Sequence, residues 1–193
     1  MDIRWADFLL AIDLIPVPFP SSATPSSFIE QLEIDAVLLS GGNDLAALVP
    51  DPLNERRDQV EQALLAEALK RELPVVGICR GAQFLAQQYG SKLIEVANHV
   101  KVEHSLEVVQ GSAWAKDLAT YHSVNSFHRY AVSRLGADLI PLAVVRDGSI
   151  EAFMHKSLRI LGLLWHPERN SQPHATDQRL FKYFLGQSDQ VKK

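Results

Sequence analysis

The chain has 193 residues, 47% of them hydrophobic and 22% charged, which is the composition of one ordinary soluble domain with a full core. Its formal net charge of −4 disfavours nucleic acid and anionic membranes as partners. The apolar stretch near the start is interrupted by prolines and follows no basic segment, so it indicates neither a signal peptide nor a membrane span. We therefore expect a single cytoplasmic domain, residues 1–193, that acts on a small molecule.

Predicted helices and strands alternate along the first half of the chain. Helical spacing predicts one apolar face formed by Trp5, Phe8, Leu9 and Ile12. The run 15–19 is a candidate strand, and Ser27 with Glu30 predicts a capping box for a second helix. The following predicted elements are a strand at 36–39, a long loop at 41–56, a helix at 57–73, a strand at 75–78 and a helix at 80–89.

The second half is richer in predicted strands. Apolar runs indicate strands at 93–96, 106–109, 139–145, 151–154 and 160–165, and a closing helix at 177–185. The alternating order of the first half predicts an α/β fold, in which helices cover both faces of a parallel sheet. Ligands of such sheets bind at the carboxyl ends of the strands, so we expect the functional residues there.

The strongest chemical motif surrounds the only cysteine. The segment Gly77-Ile78-Cys79-Arg80-Gly81 lies between a predicted strand and a predicted helix, as in a nucleophile elbow. The glycines would let the backbones pass closely, and the helix N-terminus would favour the thiolate of Cys79. A buried core cysteine is the alternative interpretation. One cysteine excludes an intrachain disulfide and a multi-cysteine metal site.

A second motif follows the last predicted strand. His166 ends the apolar run, and Glu168 comes two residues later, after a proline. A thiol nucleophile needs a base and a group that orients the base, and these two residues can supply both. A strand-end turn with a solvated glutamate is the alternative. The order Cys79, His166, Glu168 in one chain favours a catalytic triad, whereas His99 and His104 merely flank a strand.

Together these motifs resemble the class I glutamine amidotransferase-like superfamily. The resemblance rests on four ordered segments: 40–42, 77–83, 124–128 and 165–169. Arg80 and the Asn-Ser-Phe-His string at 125–128 resemble the γ-glutamyl hydrolase branch, with γ-glutamyl-CDP-amidate hydrolases nearest and γ-glutamyl-γ-aminobutyrate hydrolases next. The resemblance implies a flavodoxin-like, three-layer doubly wound fold with a mostly parallel sheet.

The resemblance also implies a reaction and roles for individual residues. Cys79 would cleave the γ-glutamyl amide bond of a small-molecule conjugate through a γ-glutamyl thioester, without a metal or an organic cofactor. Backbone N–H groups of Gly42 and Arg80 would form the oxyanion hole. The residues that would bind the substrate are Gln83, Ser126, His128 and Tyr130. Gln83 would contact the glutamyl group, and the backbone of 128–130 would hold the amino-acid end of the substrate. A surface strand with a stacked tyrosine is the alternative interpretation of 128–130.

Two other functions remain open at this stage. The first is a glutaminase subunit that supplies ammonia to a synthetase partner, and the second is a catalytically silent binding module. A homodimer is a further alternative to a synthetase complex. Members of the superfamily begin with a strand before the helix that contains Trp5, and here that first strand is missing. Since this strand is usually central, its absence would leave neighbouring strands with unpaired backbone groups unless another segment fills the gap.

Overall fold

The computed structural model describes residues 2–186. The helices are α1 (Arg4–Leu10), α2 (Pro25–Gln31), α3 (Pro52–Lys70), α4 (Arg80–Gln88), α5 (Ala115–Leu118) and α6 (Ala175–Leu185), with a 3-10 turn at Pro167–Arg169. The strands are β1 (Val37–Leu39), β2 (Val75–Ile78), β3 (Lys92–Glu95), β4 (Val100–His104), β5 (Glu107–Val108), β6 (Val124–Phe127), β7 (Tyr130–Arg134), β8 (Leu139–Val144), β9 (Ile150–His155) and β10 (Ile160–Leu163).

The main sheet has a parallel centre and antiparallel flanking strands. β1, β2 and β10 are parallel neighbours, so their carboxyl ends meet at one edge of the sheet. Antiparallel strands continue from β10 in the order β9, β7, β3, while β8 and β5 extend from β9 along a second path. β4 and β6 form a separate two-stranded sheet. This mixed α/β architecture confirms the predicted fold class and the strand-rich second half.

Two apolar cores lie on opposite faces of the sheet. Alternate residues of β2 divide between them: Val76 and Ile78 face α1 and α6, and Val75 faces α3 and α4. This division follows from the two-residue period of a strand, which sends successive side chains to opposite faces. The three layers predicted from the sequence are therefore present.

Prolines explain three differences between the predicted and the observed elements. The run Ile15–Phe19 is not a strand, since Pro16 and Pro18 have no N–H group to donate. α2 begins at Pro25 and has no capping side chain, so the predicted capping box is absent. α3 begins at Pro52, where the Asp51 carboxylate accepts a hydrogen bond from Leu53 N at 2.8 Å, and so shortens the predicted loop.

One edge of β1 is open in the described part of the chain. Among residues 2–186, β1 has a strand neighbour on one side alone, which is β2. The other edge of β1 faces a groove lined by α1 and by the extended segment 15–19. Within the same residues, every helix is too short or too polar to cross a membrane.

Candidate active site

The elbow around Cys79 has the geometry that its glycines predict. Cys79 joins β2 to α4 with φ 51° and ψ −105°, a conformation that L-residues rarely adopt. A Cβ atom at Gly81 would clash with the carbonyl oxygen of Leu39. A Cβ atom at Gly77 would lie 2.5 Å from the carbonyl oxygen of Gly81. Only glycine therefore allows β1, β2 and α4 to approach so closely.

Two opposing effects act on the acidity of the Cys79 thiol. The backbone N–H group of Arg80, at the start of α4, lowers its pKa, which is the direction expected of a helix N-terminus. Burial has the larger effect and raises the pKa of Cys79 to about 12. A base must remove the proton before this sulfur can attack.

His166 and Glu168 form a buried pair at the same edge of the sheet. The Glu168 Oε1 atom lies 2.7 Å from His166 Nδ1, and both side chains are almost fully buried. β10, which leads to His166, is the parallel neighbour of β2, and Cys79 N donates to the Leu163 carbonyl at 2.7 Å. Among residues 2–186, no hydrogen bond joins the sulfur to the imidazole, so proton transfer requires a rearrangement of these groups or a bridging water molecule.

Asn125 holds the backbone of His166 from both sides. Its amide nitrogen donates to the His166 carbonyl at 2.9 Å, and its amide oxygen accepts from His166 N at 2.9 Å. Phe127, on the same face of β6, places its ring edge-on to the imidazole, with centroids 5.7 Å apart. The position of the imidazole is thus fixed by β6 as well as by Glu168.

A buried charge network supports the two predicted oxyanion-hole residues. The Arg80 side chain is 1% exposed and pairs with Glu61 and Asp58 of α3. Glu61 also accepts a hydrogen bond from Arg57 Nε at 2.8 Å. The Arg57 guanidinium in turn donates to the carbonyl groups of Ser40 and Gly41, at 2.7 and 3.1 Å.

This network connects α3 to both predicted donors. Arg57 of α3 holds the loop that precedes Gly42. Arg80, the first residue of α4, is held by the ion pair between its side chain and Glu61 of α3. Gly41 packs against His166 so closely that a Cβ atom there would lie 2.6 Å from imidazole Cε1. Sequence reasoning missed these roles because the partners are far apart in the chain: Asp58 and Glu61 lie 22 and 19 residues before Arg80. Arg57 lies 17 and 16 residues after Ser40 and Gly41.

The four predicted substrate-binding residues fall into two groups. Gln83 Nε2 donates to the Tyr130 carbonyl at 2.7 Å, so these two residues meet, but the amide of Gln83 already holds a backbone group. Ser126 and His128 are buried on the side of β6 opposite to Asn125 and Phe127. Ser126 Oγ donates to the His99 carbonyl at 2.7 Å. The side chains of Ser126 and His128 therefore face away from His166.

The His128 side chain belongs to a separate group of potential metal ligands, which we call the histidine cluster: His99, His104, His128 and Glu151. Each residue offers one ligand atom, and these atoms lie within 4.8 Å of one another. Nothing local in the chain indicated this group beyond the position of two histidines beside a predicted strand.

Comparison with known proteins places these features in a family. The family model described as peptidase C26 matches residues 3–168. The chain belongs to this family. The chain is also 38% identical over 138 residues to the "Gamma-glutamyl-CDP-amidate hydrolase" of Campylobacter jejuni, a match that covers 72% of this chain and 64% of that relative.

Two further proteins are similar to a larger part of this peptidase C26 member. It is 28% identical over 202 residues to the "Gamma-glutamyl-gamma-aminobutyrate hydrolase" of Escherichia coli O157:H7, covering 89% of this chain and 79% of the relative. A crystal structure of a glutamine amidotransferase from Thermotoga maritima matches with a TM-score of 0.65 and 18% identity, covering 94% of this chain and 79% of the other. This structural likeness confirms the glutamine amidotransferase-like fold.

Proposed function

We propose that this protein hydrolyses the γ-glutamyl amide bond of a small-molecule conjugate, with Cys79 as nucleophile. The observation that carries the proposal is the His166–Glu168 pair at 2.7 Å, which follows the strand beside the one that ends at Cys79. Family membership supports amide-bond hydrolysis, and the Campylobacter relative supports γ-glutamyl-CDP-amidate as first substrate, with γ-glutamyl-γ-aminobutyrate second.

The reaction starts with transfer of the thiol proton to His166 Nε2, since Nδ1 faces Glu168. The sulfur then attacks the γ-carbonyl carbon, and the oxyanion receives hydrogen bonds from the Gly42 and Arg80 N–H groups. When the C–N bond breaks, the departing amine takes the proton from His166. This leaves a γ-glutamyl thioester on Cys79.

Water completes the cycle. His166 accepts a proton from a water molecule, which attacks the thioester carbonyl and releases glutamate, while the proton returns to the sulfur. Glu168 orients the imidazole and stabilises its positive charge in both halves of the reaction. Because the thiol is 6% exposed and burial raises its pKa, we expect the sulfur to lose its proton only as His166 accepts it during attack on the substrate.

A hydrolysis screen tests this proposal. Purified protein is incubated with γ-glutamyl amides that carry nucleotide phosphoramidate, amino-acid and aliphatic leaving groups, with glutamine included, and released glutamate is measured. We expect turnover of at least one conjugate, faster than of glutamine, and a loss of roughly 10⁴-fold or more in the Cys79→Ala and His166→Asn variants. The matched control is His122→Asn, because His122 is exposed.

Three results would contradict the proposal. Undiminished hydrolysis by Cys79→Ala would show that Cys79 is not the nucleophile. Turnover of glutamine alone would assign the chain to the glutaminase class. Absence of any turnover, together with failure of a γ-glutamyl electrophile to label Cys79, would favour a silent binding module.

A further inference from the structure

The histidine cluster defined above is a convergent set of metal-ligand side chains that the proposed reaction does not use. His99 precedes β4, His104 ends it, His128 follows β6, and Glu151 lies in β9. His99, His128 and Glu151 are at most 3% exposed. The cluster therefore joins the two-stranded sheet to the main sheet at a place from which bulk water is excluded.

Four polar atoms in the cluster are buried without a hydrogen-bond partner in the described part of the chain: His99 Nδ1, His104 Nε2, His128 Nδ1 and Glu151 Oε2. An unsatisfied buried polar atom destabilises the folded state, so native proteins rarely collect several at one point. Direct contacts satisfy the cluster only in part, since Glu151 Oε1 lies 3.2 Å from His128 Nε2 and 3.9 Å from His99 Nδ1.

The outer side of His99 is held in the way expected of a metal ligand. His99 Nε2 lies 2.8 Å from the Asp147 carboxylate, and Asp147 also accepts a hydrogen bond from Ser149 N at 2.9 Å. A carboxylate on one ring nitrogen fixes the tautomer and directs the lone pair of the other nitrogen towards the centre. For His99 that other nitrogen is Nδ1, one of the four unpartnered atoms.

We propose that the histidine cluster binds one divalent transition-metal ion of the Zn²⁺ class. Three imidazole nitrogens and one carboxylate oxygen are the donors that Zn²⁺ and Co²⁺ prefer, whereas Ca²⁺ and Mg²⁺ prefer oxygen alone. A tetrahedral ion with bonds of about 2.0–2.1 Å holds its ligand atoms about 3.4 Å apart. Since the ligand atoms lie within 4.8 Å of one another, shifts of side chains alone suffice to close the site.

A shared proton is the competing explanation of the cluster. One protonated imidazole would compensate the charge of Glu151, but the other ring nitrogens would remain without partners. A second proton would place two cationic rings side by side, since the His99 ring centroid lies 4.3 Å from that of His104 and 5.0 Å from that of His128. A metal ion accepts one lone pair from each of the four residues without adding a proton.

The ion would have a structural role and would link the two-stranded sheet to the main sheet. With four protein ligands, a tetrahedral site has no open position for substrate, which is the arrangement of structural zinc sites. The site fixes the end of β6, and the opposite face of β6 carries Asn125 and Phe127 against His166. Its presence can be measured without any enzymatic assay, so failure of this inference and failure of the proposed hydrolysis are distinguishable.

Metal binding tests the inference directly. The full chain, free of any affinity tag, is stripped with a chelator, equilibrated with Zn²⁺ and analysed for bound metal, and Co²⁺ is titrated while visible absorption is recorded. We expect one equivalent of Zn²⁺ per chain, the d–d bands of tetrahedral Co²⁺, and a rise in melting temperature with Zn²⁺. His104→Gln and Glu151→Gln should weaken binding by roughly 100-fold or more.

Two controls separate this site from others. His122→Gln removes an exposed imidazole and should keep the metal, and so should Cys79→Ala, which removes the only thiol. Less than a tenth of an equivalent of Zn²⁺ in the wild-type chain would overturn the inference, as would unchanged binding in both cluster variants or loss of binding in Cys79→Ala. If His104→Gln fails to fold, the wild-type chain decides, since chelation must then lower its melting temperature.

Discussion

At the scale of single residues, the position of the imidazole depends on Asn125, which bonds to both backbone polar groups of His166. We expect Asn125→Ala to lower kcat for the conjugate found in the hydrolysis screen by about 100-fold, because small displacements of a catalytic group have effects of that size. KM should change much less, since Asn125 positions the base and leaves the substrate contacts intact.

Steady-state kinetics and circular dichroism check this prediction together. Asn170→Ala is the matched control, because Asn170 is exposed and its side chain bonds to Asn125 at 3.0 Å rather than to His166. Equal kcat values for Asn125→Ala and Asn170→Ala, with both proteins folded, would contradict the positioning role.

The local motifs were predictable from sequence, whereas the residues that support them were not. Cys79, His166 and Glu168 stand out because glycine spacing and a proline mark short segments with an unusual backbone. Asn125 acts on a residue 41 positions later, and His99 meets Asp147 across 48 positions. Such pairs depend on which strands become neighbours, which a single sequence does not specify.

At the scale of elements, α3 and α4 are joined by the buried pair Glu61–Arg80. We expect Glu61→Gln to lower the free energy of unfolding by about 1–3 kcal/mol, because a guanidinium that is 1% exposed loses one of its two carboxylate partners and keeps Asp58. Chemical denaturation measures this change. Glu67→Gln is the control on the same helix, since Glu67 pairs with Arg71 at the surface and its replacement should have little effect. Similar losses in both variants would show that burial of the pair is unimportant.

The elements best predicted were those with an uninterrupted apolar pattern. The strand at 75–78 has the predicted bounds, and the helix that follows Cys79 ends one residue earlier than expected. The start of α3 was missed although Asp51 and Pro52 are recognised signals for a helix start, because the glycines and prolines nearby suggested a loop.

At the scale of the whole molecule, stability should depend on the buried carboxyl group of Asp177. Burial raises the pKa of Asp177 to about 6, although Tyr121 and Trp165 donate hydrogen bonds to it. A carboxyl group with a higher pKa in the folded state than in the unfolded chain favours folding only while it is protonated. Its contribution is therefore complete below about pH 4 and is lost as the pH rises to about 6.

Replacing Asp177 with asparagine should remove this dependence, since the amide oxygen can still accept both hydrogen bonds. Thermal unfolding between pH 4 and pH 6.5 checks the prediction: the melting temperature of the wild-type chain should fall relative to that of Asp177→Asn as the pH rises. The raised pKa of Asp177 corresponds to a change of roughly 3 kcal/mol in the free energy of unfolding over that pH range. The exposed Asp35→Asn variant is the control, and a constant difference between wild type and Asp177→Asn would contradict the assignment.

The order of the whole sheet was only partly accessible from sequence. The alternating first half indicates that β1 and β2 are parallel neighbours, but nothing local to β10, β9 or β7 shows that they continue the sheet beyond β2. Their pairing depends on packing between distant apolar runs, which several arrangements of similar strands would satisfy.

Because its only sulfhydryl group is buried at the elbow, the chain contains its own reporter of conformational fluctuation. Alkylation of the native protein can proceed no faster than the elbow opens to reagent, whereas the denatured polypeptide reacts at the intrinsic rate. The ratio of the two rates is a protection factor, and its logarithm gives the energy of that opening at a single known atom. Added substrate or metal should slow alkylation of Cys79 in proportion to the decrease in how often the elbow opens.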